Sequence, residues 1–291
     1  MPSVLNADQR AAFERDGYVL VKGLFDTEET ELLQTAVDRD PAIRGHFYDR
    51  SDAEGMATKM ALWNHPGDSV YGYAARSEKM VDTMEDLLGG EVYHYHSKIT
   101  AKEPREGGAW EWHQDYGYWY NNGCLFPYMA SAMIALDMCT RANGCLQVLK
   151  GSHHLGRIDH GLLEGEQVGA DLKRVDEAKK HLDLVYCEME PGDVLFFHCN
   201  TLHRSDQNRS DDRRWTLICC YNAARNDPYL EHHHPRYTPL EKVADEAIKD
   251  AGLKFSDPSH EGAFLKKSVA PAELDQKAGR VFTTDGAGEQ G

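Results

Sequence analysis

Along the first 90 residues, apolar positions recur at helical spacing, interrupted by one alternating stretch. "ADQRAAFERDG" reads as an opening helix that stops at Gly17, and "YVLVKGLF" as the next strand. "DTEETELLQTAVDRD" begins with Asp26 as N-cap and an acidic first turn, the signature of a helix start. "SEKMVDTMEDLLGG" is predicted as a further helix, capped by Ser77 and stopped by Gly89-Gly90.

Beyond residue 91 the period changes. "EVYHYHSKITAK" alternates and is rich in β-formers. "SAMIALDMC", "GCLQVLK", "DLVYCEME", "GDVLFFH" and "RRWTLICCYN" are predicted as further short strands between Gly, Pro, Asn and Asp punctuation. Helices first and strands later point to an α+β, mainly β fold whose core is an antiparallel sandwich or barrel. Residues 224–270 read as irregular surface structure. The expected division is one domain over residues 1–270 and a flexible tail over 271–291.

Composition narrows the function classes. At 41% hydrophobic, the 291 residues supply a sizeable core. A net charge of −16 disfavours nucleic acid, whose phosphates need clustered Lys and Arg. No apolar run approaches the ~20 residues of a membrane span. The N-terminus lacks a signal-peptide pattern, so a cytoplasmic location is expected. Seven Cys at irregular spacing, with no Cys-x-x-Cys, read as reduced packing thiols.

The candidate chemistry lies in "GAWEWHQDYGYWY", where rings crowd around His113-Gln114-Asp115. In a strand, residues i and i+2 share a face, so His113 and Asp115 can grip one ion side by side. The motif alone is weak. Chance supplies about one His-x-Asp in such a chain, and His181-Leu182-Asp183 is a second. The stretch "FFHCNTLHRSDQNRSDDRRW" adds His203 at the end of a strand-like run, with Arg214 eleven residues later. Two His and one carboxylate can hold one face of Fe(II) and leave the other open. A fixed guanidinium nearby suits a bidentate pair with a carboxylate.

These residues resemble the phytanoyl-CoA dioxygenase-like family of Fe(II)/2-oxoglutarate oxygenases, nearest in look to its ectoine hydroxylase branch. The resemblance covers most of residues 10 to 223. "FERDGYVLVKGLF" is similar to the family's helix-strand opening, and "WHQD" to its metal motif. "ANGCLQVLKGSHHLG" is similar to its "NGxLxxxPGSH" turn, with Lys150 where proline is common. "EMEPGDVLFFHCNTLHRSDQN" is similar to its "xxGDxxxFxxxxxHxSxxN" stretch. The resemblance implies a double-stranded β-helix (a cupin-like jelly roll) buttressed by the N-terminal helices. It implies His113, Asp115 and His203 as iron ligands, selecting them over His181 and Asp183. Arg214 would bind the distal carboxylate of 2-oxoglutarate, assisted by Ser205, with Thr100, Lys98 and Lys102 as further contacts. His96, Trp119, Tyr116 and Tyr118 would face the substrate. With O2, the expected reaction hydroxylates an unactivated C–H and releases succinate and CO2. Related halogenases carry a small residue at the carboxylate position, so Asp115 favours hydroxylation.

The rings suit an ammonium-bearing metabolite through cation–π contact. "DYGYWYNNG" lacks the charged and hydroxyl residues that ectoine hydroxylases keep before the Trp, which leaves betaine-, aminophosphonate- and amino-acid-like substrates open beside ectoine. The expected partner is therefore a small molecule, with no nucleic acid or membrane, in a monomer or homodimer. Elsewhere, His153-His154 read as a structural turn, His198 as the weaker competitor of His203, and His232-His233-His234 as a solvated loop or a lid. Trp112 is expected in the core, and Arg213 on the face opposite Arg214. Arg157 and Arg225 read as free to meet an anion. Loops after residues 115 and 225 are the candidate covers. A zinc-dependent hydrolase and a non-catalytic binding barrel stand as the alternatives.

Overall fold

The computed structural model describes residues 4–163, 166–259 and 264–265. The expected tail over 271–291 lies outside them. Helix α1 (Ala7–Asp16) opens with a reciprocal cap between Asn6 and Gln9. It ends at Gly17, whose φ of 82° places it in the left-handed region that glycine tolerates. A side chain there would also collide with His153 and Thr201. After strand β1 (Tyr18–Val21), α2 (Thr27–Arg39) starts at Asp26 and Glu29, each accepting a backbone N–H of the other's residue.

The chain continues through α3 (Pro41–Gly45), β2 (Tyr48–Ser51), β3 (Ala57–Trp63), α4 (Val70–Arg76), α5 (Glu78–Leu88) and β4 (Val92–Lys102). β2 and β3 were not foreseen from sequence. Ser77 precedes α5 but makes no cap bond, since its hydroxyl donates to the Ala74 carbonyl. Then come β5 (Trp110–His113), α6 (Asp115–Trp119), β6 (Met129–Ala135), β7 (Leu146–Leu149), β8 (His160–Leu162) and β9 (Val168–Ala170). The last elements are α7 (Leu172–Ala178), β10 (Leu184–Cys187), β11 (Val194–His198), β12 (His203–Ser205), β13 (Arg214–Ala223) and α8 (Ala247–Ala251).

The strands form two facing antiparallel sheets. The larger runs β1-β11-β6-β13-β4-β3-β2 and the smaller β10-β7-β12-β5, with β8-β9 as a separate pair. This is the jelly-roll α+β fold expected. Alternation sorts each central strand between two cores. Phe196, Leu217 and Ile99 pack outward against α2, α4 and α5, while Leu195, Phe197 and Ile218 point between the sheets toward Leu146 and Val148.

One irregularity positions the site. Cys220 pairs with His96 and Tyr221 with His94, so Tyr95 is an extra residue in β4. Such a bulge resets the alternation and re-aims the side chains beyond it. Tyr95 faces the inter-sheet core, yet beyond the bulge Ile99 and Ala101 face the helices. His96, Lys98, Thr100 and Lys102 thereby line the space between the sheets.

Candidate active site

β5 and β12 are neighbours in the smaller sheet, and His113 stands directly opposite His203. Each imidazole is oriented the same way. His113 Nδ1 bonds the Glu111 carbonyl at 2.8 Å, and His203 Nδ1 the Thr201 carbonyl at 2.9 Å. Both rings therefore turn Nε2 inward, as metal-ligating histidines do. β5 ends at His113, and Asp115 is the first residue of α6. The i, i+2 reading reaches the same neighbour by a different route, a strand-to-helix junction. Gln114 locks that junction with side-chain bonds to Gly156, Ile158 and Asn200.

Asp115 Oδ2 accepts from the Ser131 hydroxyl at 2.8 Å, which leaves Oδ1 3.9 Å from both imidazole Nε2 atoms. The three ligand atoms lie within 4.8 Å of one another, on fully buried residues, the one such group among the described residues. Burial lowers the basicity of both imidazoles, well below the ordinary value for His113, and so favours their neutral, ligating form. Two neutral nitrogens and one carboxylate on one side of a cavity fit a divalent iron with an open face. His181 and Asp183 do not compete, since His181 is exposed in the turn beyond α7 and pairs with Glu177. His198 lies apart, its Nδ1 accepting from the Asn200 N–H.

Two cavities meet at this triad. The smaller, about 50 Å³, is lined by Thr58, Thr100, Lys102, Leu146, Ser205 and Arg214. Arg214 pairs with Lys102 across β13 and β4. It is 3% exposed, donates to the Gly144 carbonyl at 2.8 Å, and leaves Nε without a partner among the described residues. No carboxylate pairs with it among the described residues. A buried guanidinium without a counter-ion is costly unless a ligand supplies one. Lys102 is buried too, its ammonium held by the Gly108 and Asp206 carbonyls. Burial, with Arg214 close by, pushes its basicity well down. His203 and Arg214 belong to different sheets, so the eleven-residue interval spans the sandwich and does not join two neighbouring strands.

The second cavity, about 110 Å³, is lined by His96, Lys98, Trp110, Tyr118, Trp119 and Arg50, among others. Tyr116 is a correction. It was expected to face the substrate with Tyr118 and Trp119. α6 is a helix, where positions three and four apart share a face. Asp115, Tyr118 and Trp119 therefore turn to the cavity, while Tyr116 turns away and donates to the Cys124 and Leu125 carbonyls.

His232-His233-His234 are not a solvated loop. His233 and His234 line this cavity, and His234 is buried and stacks on His96 at 4.5 Å. Arg225 does not meet the site, because it caps α5 through the Leu88 and Gly89 carbonyls. Arg157 pairs with Asp159 and covers Tyr120. Arg213 pairs outward with Asp38 and Asp137, as its position opposite Arg214 requires. The sequence reading missed Arg50, Glu166 and Gln167, which line the cavity from β2 and the segment before β9. The short apolar run "MALW" of β3, bounded by Gly55 and Gly67, was the available sign that this region joins the sheet.

Known proteins match this arrangement over most of the chain. Residues 13–216 match the family model described as phytanoyl-CoA dioxygenase (PhyH). An L-proline trans-4-hydroxylase from Streptomyces griseoviridis is 34% identical over 60% of this chain and 71% of its own. An ectoine dioxygenase from Sphingopyxis alaskensis is 29% identical over 76% and 77%. The crystal structure of EctD from S. alaskensis with 2-oxoglutarate and 5-hydroxyectoine superposes with a TM-score of 0.66 at 25% identity, over 87% of this chain and 88% of that one.

Proposed function

The chain belongs to the phytanoyl-CoA dioxygenase family, and on that premise we propose that it hydroxylates an unactivated C–H of a small polar, ammonium-bearing metabolite. It is an Fe(II)- and 2-oxoglutarate-dependent dioxygenase that uses O2. When bound, the iron with 2-oxoglutarate supplies the oxidising power, and turnover yields succinate and CO2.

The observation that carries this reading is the meeting of two cavities at one buried triad. His113, Asp115 and His203 hold the metal by three protein atoms. Arg214, with Ser205, Thr100 and Lys102, receives the distal carboxylate of 2-oxoglutarate in the smaller cavity. The guanidinium is already aimed and desolvated, so a matching carboxylate binds bidentately with little reorganisation. The larger cavity then holds the substrate. Its ~110 Å³ is small against the roughly 300–1,000 Å³ of sites for drug-sized ligands. A metabolite of amino-acid size fits that scale and an acyl thioester does not. Trp119 and Tyr118 wall one side and offer faces to a cationic nitrogen. His234 closes the other side over His96, which excludes water and fixes which C–H points at the metal.

The proline and ectoine relatives both act on small nitrogen heterocycles bearing a carboxylate, which supports the same substrate class here. The test is succinate release from 2-oxoglutarate with Fe(II) and O2, screened over L-proline, ectoine, betaines and aminophosphonates. Stimulation by at least one compound, with a product heavier by one oxygen, is the expected result. Succinate without an oxygenated product from any of them contradicts the substrate class.

A further inference from the structure

Beyond its bulge, β4 lays four side chains along both cavities. Thr100 and Lys102 line the cavity with Arg214, His96 lines the other, and Lys98 lines both beside His113 and Asp115. Two of the four are matched by protein groups. Thr100 bonds Thr216, and Lys102 bonds two carbonyls. The half-buried Lys98 ammonium makes no hydrogen bond or ion pair among the described residues. His96 is 3% exposed, and its Nδ1 has no partner either. The sequence places these two unmatched groups two residues apart on one strand face, roughly 7 Å.

Lys98 was expected among the 2-oxoglutarate contacts. Lys102, opposite Arg214, lies four residues further along β4, roughly 13 Å away. In the other direction, Lys98 lines the larger cavity with His96 and His234, and its charge is felt by both of these as well as by His113 and His203 at the triad. A purely cationic substrate would be repelled by this ammonium. An anionic group beside it would supply the missing counter-ion. The aromatic faces that suit a cation, Tyr118 and Trp119, stand in the same cavity.

We propose that Lys98 reads a carboxylate of the primary substrate, which is a small zwitterion with its anionic end beside the metal and its cationic nitrogen toward His96 and Trp119. This deepens the dioxygenase reading above and rests on it. Lys98 then sets specificity, because the carboxylate it holds fixes the distance from the metal to each C–H of the substrate.

The test compares succinate formation by wild type, Lys98→Met and Lys98→Arg with Fe(II), 2-oxoglutarate and O2. The probes are ectoine, L-proline and the other protein amino acids, each amino acid beside its α-carboxamide. At least one zwitterion is expected to stimulate succinate release, with its amide inactive. Lys98→Met raises the KM of that zwitterion roughly 30-fold or more, the loss of a desolvated charge partner. The KM for 2-oxoglutarate moves by less than about threefold, and Lys98→Arg recovers most of the loss. An amide as active as its acid overturns the proposal, as does a panel in which no zwitterion stimulates. A rise in the 2-oxoglutarate KM in place of the substrate's also overturns it, and assigns Lys98 to that co-substrate's carboxylate. Wild type that forms no succinate with or without probe is a separate failure, that of the dioxygenase reading itself.

Discussion

His113 and His203 stand opposite one another on paired strands, ring centroids 4.0 Å apart, each tied by Nδ1 to the carbonyl two residues before it. Two histidines so fixed leave the carboxylate as the ligand with rotational freedom, and the Ser131 hydroxyl removes it by holding Asp115 Oδ2. Ser131→Ala is therefore expected to weaken iron affinity about 10- to 100-fold while leaving the fold intact. Iron titration of the apoprotein, with thermal unfolding as the control, measures both.

Gly117 sits in α6 against His160. A Cβ there would lie 2.2 Å from His160 Nδ1. The ring cannot swing aside, because Nδ1 bonds the Ile158 carbonyl and Nε2 accepts from the Gln114 N–H. Gly117→Ala is expected to displace α6 and with it Asp115, costing about 1–3 kcal/mol. Lower denaturant midpoints and weaker iron binding, appearing together, are the predicted result.

Asn64 latches the segment that covers the larger cavity. Its amide donates to the His233 carbonyl, and its Oδ1 bonds His234 Nδ1 at 2.9 Å. Asn64→Leu removes both bonds and frees His234 from its stack on His96. The expected effect is a rise of roughly tenfold in the primary substrate's KM, with the KM for 2-oxoglutarate little changed. Steady-state kinetics with each substrate varied in turn separates the two.

Two buried histidines away from the metal ligands give the fold an acid limit. Burial pushes His94 down to about 3 and His198 down to about 4, against about 6.5 when unfolded. Below pH 6.5 the unfolded chain binds protons that the folded chain does not, so stability falls with pH until the folded values are reached. Each is expected to cost about 2 kcal/mol between pH 7 and pH 5. Denaturant unfolding at the two pH values measures it, and His198→Gln should remove about half of this part of the slope.

Much of the architecture was legible because local signals agreed with tertiary demands. Asp26, Gly17 and Gly89 mark helix ends in sequence and occupy those ends in the structure. The alternating stretch of β4 and the short runs of β6 and β13 between turn residues were read as strands, and all three are strands buried between two cores. The candidate ligands could be named because their types and spacing match a known family pattern, although Asp115 reaches the site from the first residue of α6 and not from a strand. Tyr116 misled because nothing local announces that α6 begins one residue after Gln114. Arg50 and Glu166 were not legible, since they reach the cavity only through sheet closure and a distant loop. The His232-His233-His234 run reads as solvated on composition, and only the fold shows what His234 rests on.

The most direct test of the central claim is an anaerobic titration with Fe(II) and 2-oxoglutarate, monitored by the weak visible charge-transfer absorption of the chelate. Wild type is expected to develop the band, His113→Ala to lose it, and Arg214→Ala to need roughly 30-fold or more additional 2-oxoglutarate, the loss of a desolvated charge partner. Absence of the band in wild type, or an Arg214→Ala titration that overlays the wild-type curve, would contradict the account.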